Sequence, residues 1–116
     1  MSAVVEAAVP RAEAIARLND KLRKEGTGGT IVITRGVAGI DGFDRQELLA
    51  ALATFDGFDP DNDPHVERDF GDLTLWATDM LFKFDYYDPG LCFGSNNPAD
   101  PSVTCRVLTI MLPEEW

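Results

Sequence analysis

Seven carboxylates between Asp56 and Asp72 are the residues of this chain best suited to chemistry. The run FDGFDPDNDPHVERDFG, residues 55–71, holds Asp56, Asp59, Asp61, Asp63, Glu67 and Asp69, and Asp72 follows directly. Arg68 is its one cation, and His65 is the one histidine of the sequence. Carboxylates at this density can hold a divalent cation, activate a metal-bound water, or meet a basic surface. Asp59, Asp61 and Asp63 have the spacing of the first three ligands of an EF-hand loop. Pro64 stands where that loop needs its sharp-turn glycine, and Phe70 where it needs a bidentate glutamate, so specific calcium binding is not expected. Asp63, His65, Glu67 and Asp69 alternate, and an extended backbone would put all four on one side. They centre the alternative reading, a metal-binding protein or metal-dependent hydrolase. A His-rich zinc site is excluded by the single histidine. A nucleophilic pair would need Cys92 or Cys105 beside His65, which no spacing supports, and Ser95 and Ser102 lack an elbow motif. No catalytic residue, metal or cofactor is therefore assigned.

Such a run must be a loop. Carboxylates out of water each need a partner, and Pro60 and Pro64 remove backbone donors. The charge of the whole chain is −10, from 20 acidic and 10 basic residues, and its distribution is uneven. Between Asp41 and Asp100 stand fourteen acids and three bases, a net of −11, while the flanks are close to neutral. This field repels nucleic acid and anionic membranes, so direct binding to either is disfavoured, and it attracts the basic groove of a protein. In an extended loop alternate residues lie ~6–7 Å apart, close to the ~7 Å between phosphates of one strand. The acids would then occupy a Lys/Arg-lined nucleic-acid channel as a mimic. Candidate partner-binding residues are Asp56, Asp59, Asp61, Asp63, Glu67, Asp69 and Asp72, with Asp85, Tyr87 and Asp88 from the following hairpin. Trp76 and Tyr86 are assigned to the core and sheet.

A scaffold for this loop is visible on both sides. Ile15, Leu18 and Leu22 recur at helical spacing after Pro10, predicting a helix from Pro10 to Glu25. Arg11, Arg17, Lys21, Arg23 and Lys24 fall on its other face, where they would pair with the acidic middle of the fold. Thr30–Thr34 predicts a strand buried on nearly both faces, ended by Arg35 and Gly36. Asp44 with Glu47 forms a capping-box-like start to a helix from Arg45 to Phe55. A hairpin is predicted with a tight turn at Thr78–Asp79, its second arm alternating Met80, Phe82, Phe84 and Tyr86 inward. A Gly/Pro/Asn loop over Asp88–Ser102 leads to a last strand, Val103–Leu112. The order predicts an α+β domain over residues 10–116, two helices on one face of a mainly antiparallel sheet of about four strands, after a flexible segment 1–9. No signal-peptide pattern or membrane-length apolar run is present, so a cytoplasmic protein with reduced, packing cysteines is expected. Self-association into a homodimer stays open.

The blocks NDKLR (19–23), ITRGV (33–37), FDPDNDP with ERDFG (58–71), FKFDYYD (82–88) and GSNNPADPSVTCRVLTIMLPEEW (94–116) resemble, in the same order, the bacterial domain-of-unknown-function family 3768. The resemblance implies a small protein of plasmids and other mobile elements, with no activity to transfer. Arg68 fills a slot where the family pattern has histidine, and His65 one where an aromatic is usual, which weakens an enzyme reading. The expectation is a non-enzymatic interaction protein. Its role would be a mobile-element inhibitor blocking the basic nucleic-acid site of a host defence complex, of the anti-CRISPR or anti-restriction kind.

Overall fold

Pro10 opens the first helix because its fixed φ and missing N–H suit the position before a helical turn, and its carbonyl accepts Ala14 N–H. In the computed structural model, which describes residues 9–116, that helix is α1, Arg11–Glu25, closed by Gly26 in the left-handed region at φ 75°. The flexible segment expected over residues 1–9 lies almost wholly outside the described residues. Strand β1 (Thr30–Ile33) follows, then one helical turn, α2 (Arg35–Ala38), then α3 (Arg45–Thr54). Asp44 caps α3 by accepting Glu47 N–H at 3.0 Å. Strands β2 (Phe70–Leu75), β3 (Thr78–Tyr87) and β4 (Cys105–Met111) complete the sheet, with single 3-10 turns at Pro101–Val103 and Pro113–Glu115.

The strand order is β1-β4-β3-β2, antiparallel except for the parallel β1–β4 pair, so the α+β architecture holds. One face is packed by the helices: Leu22, Val37, Leu48 and Leu52 meet Met80, Phe82, Phe84, Leu108 and Ile110. The inward alternation expected of β3 is therefore present. No helix among the described residues is long and apolar enough to cross a membrane.

Three local readings are corrected. Strand β1 is an edge strand with β4 as its one neighbour; Ile31 and Ile33 pack against the core, whereas Val32 is 40% exposed. Its apolar run is therefore half-buried and not covered on both faces. The segment after β1 turns helical at once, because Thr34 Oγ1 accepts Val37 N–H and offers a cap. The hairpin turn falls at Trp76–Ala77, two residues early, with both residues left-handed at φ 53° and 56°. Tertiary contact overrides turn propensity here: the Trp76 ring packs edge-on against Phe43 at 5.6 Å, and its indole N–H donates to Glu47.

Candidate partner-binding surface

The acidic loop leaves α3 at Phe55 and is anchored from both sides. Arg23, placed by its spacing on the basic outer face of α1, is instead 4% exposed. Its Nη1 donates to the carbonyls of Leu52 at 2.6 Å and Phe55 at 3.1 Å, and the guanidinium lies 5.3 Å from the Phe58 ring centroid. A cation at a helix C-terminus satisfies orphan carbonyls and complements the helix dipole. Phe55, Phe58 and Phe82 then form an edge-to-face cluster, and Gly71 lies beneath it because a Cβ there would stand 2.6 Å from Phe82 and 2.7 Å from Phe55.

Between these anchors the loop is a chain of turns. Asp59 Oδ1 accepts Asp61 N–H and Asn62 N–H, Asn62 Nδ2 donates to Gly57 O, and Asp63 N–H donates to Asp59 O. Val66 and Arg68 are left-handed, at φ 60° and 53°. The extended backbone assumed for a regular phosphate-like spacing is thus absent. So is the one-sided array of Asp63, His65, Glu67 and Asp69. Asp63 is 7% exposed and accepts Arg68 N–H, Glu67 turns to Tyr86, Asp69 is half-buried, and His65 is exposed. Among the described residues no group of three or more His, Cys, Asp and Glu side chains is placed to hold a metal ion.

Charge pairing runs opposite to expectation. The exposed bases of α1 do not reach into the acidic loop; Arg17 pairs with Glu13 of its own helix. Acids of α1 hold the loop's one cation instead: Arg68 pairs with Asp20 at 2.8 Å and with Glu13 at 3.7 Å. Burial would raise the Asp20 carboxyl, but hydrogen bonds from Arg68 and Arg23 outweigh it and hold the group below its ordinary value. A second tie is buried. Asn19, fully inaccessible, donates to Glu67 O and to Tyr86 Oη and accepts Arg106 Nε–H at 2.7 Å, while Tyr86 donates to the Glu67 carboxylate at 3.2 Å. Arg106, 2% exposed, stacks on the Tyr86 ring and also donates to Pro98 O. Burial lowers its affinity for the proton, with Tyr86 and Glu67 opposing. Burial likewise pushes the Tyr86 phenol up. Asp69 is raised by burial first and then by Glu67 and Asp63.

The ten candidate residues therefore separate. Asp63, Glu67 and Asp69 are turned into the fold. Asp85 pairs with Lys83 at 2.7 Å, Asp88 caps the next loop by accepting Cys92 N–H, and Tyr87 is half-buried in β3 beside Cys105. Asp56, Asp59, Asp61 and Asp72 remain exposed without an ion pair among the described residues. Three of these, with Asn62, rim an open depression of about 450 Å³ whose apolar lining is Phe70 and Leu81. A smaller one of about 380 Å³ adjoins it, sharing Asp59 and lined by Phe58, Pro60, Asp63, Pro64 and Val66. Carboxylates around an apolar floor suit the aliphatic stem and charged head of a lysine or arginine.

Asn19 and Arg106 were not singled out from the sequence, although both carry a signal. Asn19 falls in phase with Ile15 and Leu22 on the buried stripe of α1, and Arg106 in phase with Leu108 and Ile110 on β4. A polar residue in an apolar phase marks a buried network.

No curated protein and no solved structure matches this chain. A family model described as a protein of unknown function, DUF3768, matches residues 33–115, a span that takes in the last residue of β1, then α2, α3, the acidic loop and strands β2, β3 and β4. The chain belongs to the DUF3768 family.

Proposed function

We propose that this protein is a non-enzymatic binding protein whose acidic surface docks on a basic, nucleic-acid-binding groove of a partner complex and blocks it. The observation that carries this reading is the convergence of Asp59, Asp61 and Asp72 around Phe70 and Leu81. The loop, held in its turns by Asp59 and Asn62, brings two of these acids, and β2 brings the third. Steering by the −11 central segment adds long-range attraction to a cationic partner. In the setting that the family resemblance implies, a mobile element, the partner is a host defence complex of the anti-restriction or anti-CRISPR kind. The mimicry is of a charged patch and not of a linear phosphate ladder, since the loop is turned and not extended.

Pull-down from a host lysate tests this, with wild type beside the triple variant Asp59→Asn, Asp61→Asn, Asp72→Asn, at low and at moderately high salt. The expected result is a nucleic-acid-handling complex held by wild type at low salt, released by salt and absent with the variant. Equal capture by both proteins, or capture that ignores salt, would sink the reading.

A further inference from the structure

Beyond the acids, the loop after β3 exposes apolar side chains on a hydrogen-bonded tip. Leu91 is 62% and Phe93 75% exposed, which leaves both without cover in this fold. The tip is nevertheless held in one shape. Asp88 O accepts Leu91 N–H at 2.9 Å, Asp88 N–H donates to Phe93 O at 2.8 Å, and the Asp88 carboxylate accepts Cys92 N–H at 3.0 Å. Pro89 fixes a further torsion, and Leu91 is kept left-handed at φ 58°. A preorganised aromatic and aliphatic pair loses little conformational freedom on insertion into a partner.

The position of the tip decides what it meets. Phe84 N–H donates to Asp69 O at the end of the acidic loop, and Tyr86 O accepts Ser95 N–H at the base of the tip. Both bonds leave the same edge of β3, two residues apart, so the end of the acidic loop at Asp69 and the base of the tip at Ser95 are attached within ~7 Å along the strand. Asp88 belongs to the tip itself, and Asp85 lies three residues before it on β3, so carboxylates stand beside the apolar pair. We infer that Leu91 and Phe93 are the hydrophobic anchor of the interaction surface and insert into an apolar pocket of a protein partner whose rim carries Lys and Arg. This rests on the acidic-surface reading for the sign of that rim. An anionic membrane is repelled by a chain of charge −10, and a second copy would bring like charges together around the same tip. An apolar centre with a charged rim is the anatomy of an interface hot spot.

The test replaces Phe93 by the photo-cross-linker p-benzoylphenylalanine in the full chain within the host cell, with the same residue at Thr74, at the far end of β2, as control. The cross-linked protein is then purified and titrated with wild type, Phe93→Ser, Leu91→Ser and the triple Asp→Asn variant at two salt concentrations. The expected outcome is a cross-link from position 93 alone to a peptide bordered by Lys or Arg. With it, Phe93→Ser weakens binding by ~10–100-fold with its salt dependence intact. A cross-link to lipid, to a second copy or to nothing overturns the inference, as does a Phe93→Ser variant that binds like wild type. If the triple variant alone loses binding, the anchor fails and the acidic surface stands. If the serine variants alone lose it, the acidic surface fails and the partner's rim is not basic.

Discussion

Replacing Arg23 by methionine removes the guanidinium that ties α1 to the end of α3 while keeping most of the stem's volume. At 4% exposure, Arg23 gives two well-formed bonds to carbonyls, at 2.6 Å and 3.1 Å, and a longer one to Ala53 at 3.5 Å. Hydrogen bonds from a charged donor contribute ~1.5–3 kcal/mol each, so the two good ones sum to ~3–6 kcal/mol. Against this, Arg23 Nε is buried without a partner, and relieving a desolvated polar atom returns ~1–3 kcal/mol. The midpoints leave a net loss of about 2–3 kcal/mol, to which loss of the Arg23–Asp20 pair at 3.0 Å adds, a large part of the ~5–15 kcal/mol by which a domain is stable. With a urea slope of ~1–3 kcal/mol per molar for a small protein, the unfolding midpoint should fall by ~1–2 M at unchanged slope. Arg23→Lys should fall between, because an ammonium reaches fewer of the diverging carbonyls. A methionine variant whose midpoint moves by less than ~0.3 M would refute the capping role.

Other perturbations follow from particular contacts. Gly71→Ala puts a methyl group against Phe82 and Phe55 and should destabilise by ~1–3 kcal/mol in the same titration; a neutral result would mean that the ring cluster yields freely. Ala77→Gly should stabilise by ~0.5–1 kcal/mol, since relief of left-handed strain exceeds the entropic cost of glycine; a lower melting temperature would contradict the turn geometry. The depressed carboxyl of Asp20 contributes stability above its ordinary value of 3.8 that is lost as pH falls through the lower folded value. Asp20→Asn should therefore lower the melting temperature at pH 7 and match wild type in strong acid. Asp69 has the opposite sign, because its raised value means that ionisation is disfavoured in the fold. Asp69→Asn should raise the melting temperature at pH 7, and the gain should fade as pH drops through the raised value and wild type becomes protonated.

The elements legible in the sequence were those written in period and punctuation. Pro10 with Gly26 bounded α1, Asp44 with Glu47 began α3, and the alternation from Met80 to Tyr86 set the inward face of β3. The hairpin turn was not legible, since Trp76 and Ala77 have no turn propensity and adopt left-handed angles because the indole is held by Phe43 and Glu47. The acids of the loop were recognisable as a group, but their division was not. Whether an aspartate faces solvent, like Asp61, or folds inward, like Asp63, depends on the turn that Asp59 nucleates and on Arg68, which Asp20 draws toward α1. The first is a local turn among many that Asp, Asn and Pro residues could form here, and the second is a contact across the fold. Arg23 was misplaced for the same reason: helical spacing gives a residue its angle on α1 but not what packs there.

Competition measures the central claim most directly. The captured partner complex is loaded with a fluorescent duplex of its own target sequence and titrated with this protein at low salt, with anisotropy as the readout. Stoichiometric release of the duplex by wild type, and none by the Asp59→Asn, Asp61→Asn, Asp72→Asn variant, is the predicted result. A ternary complex in which duplex and protein are bound together would contradict it.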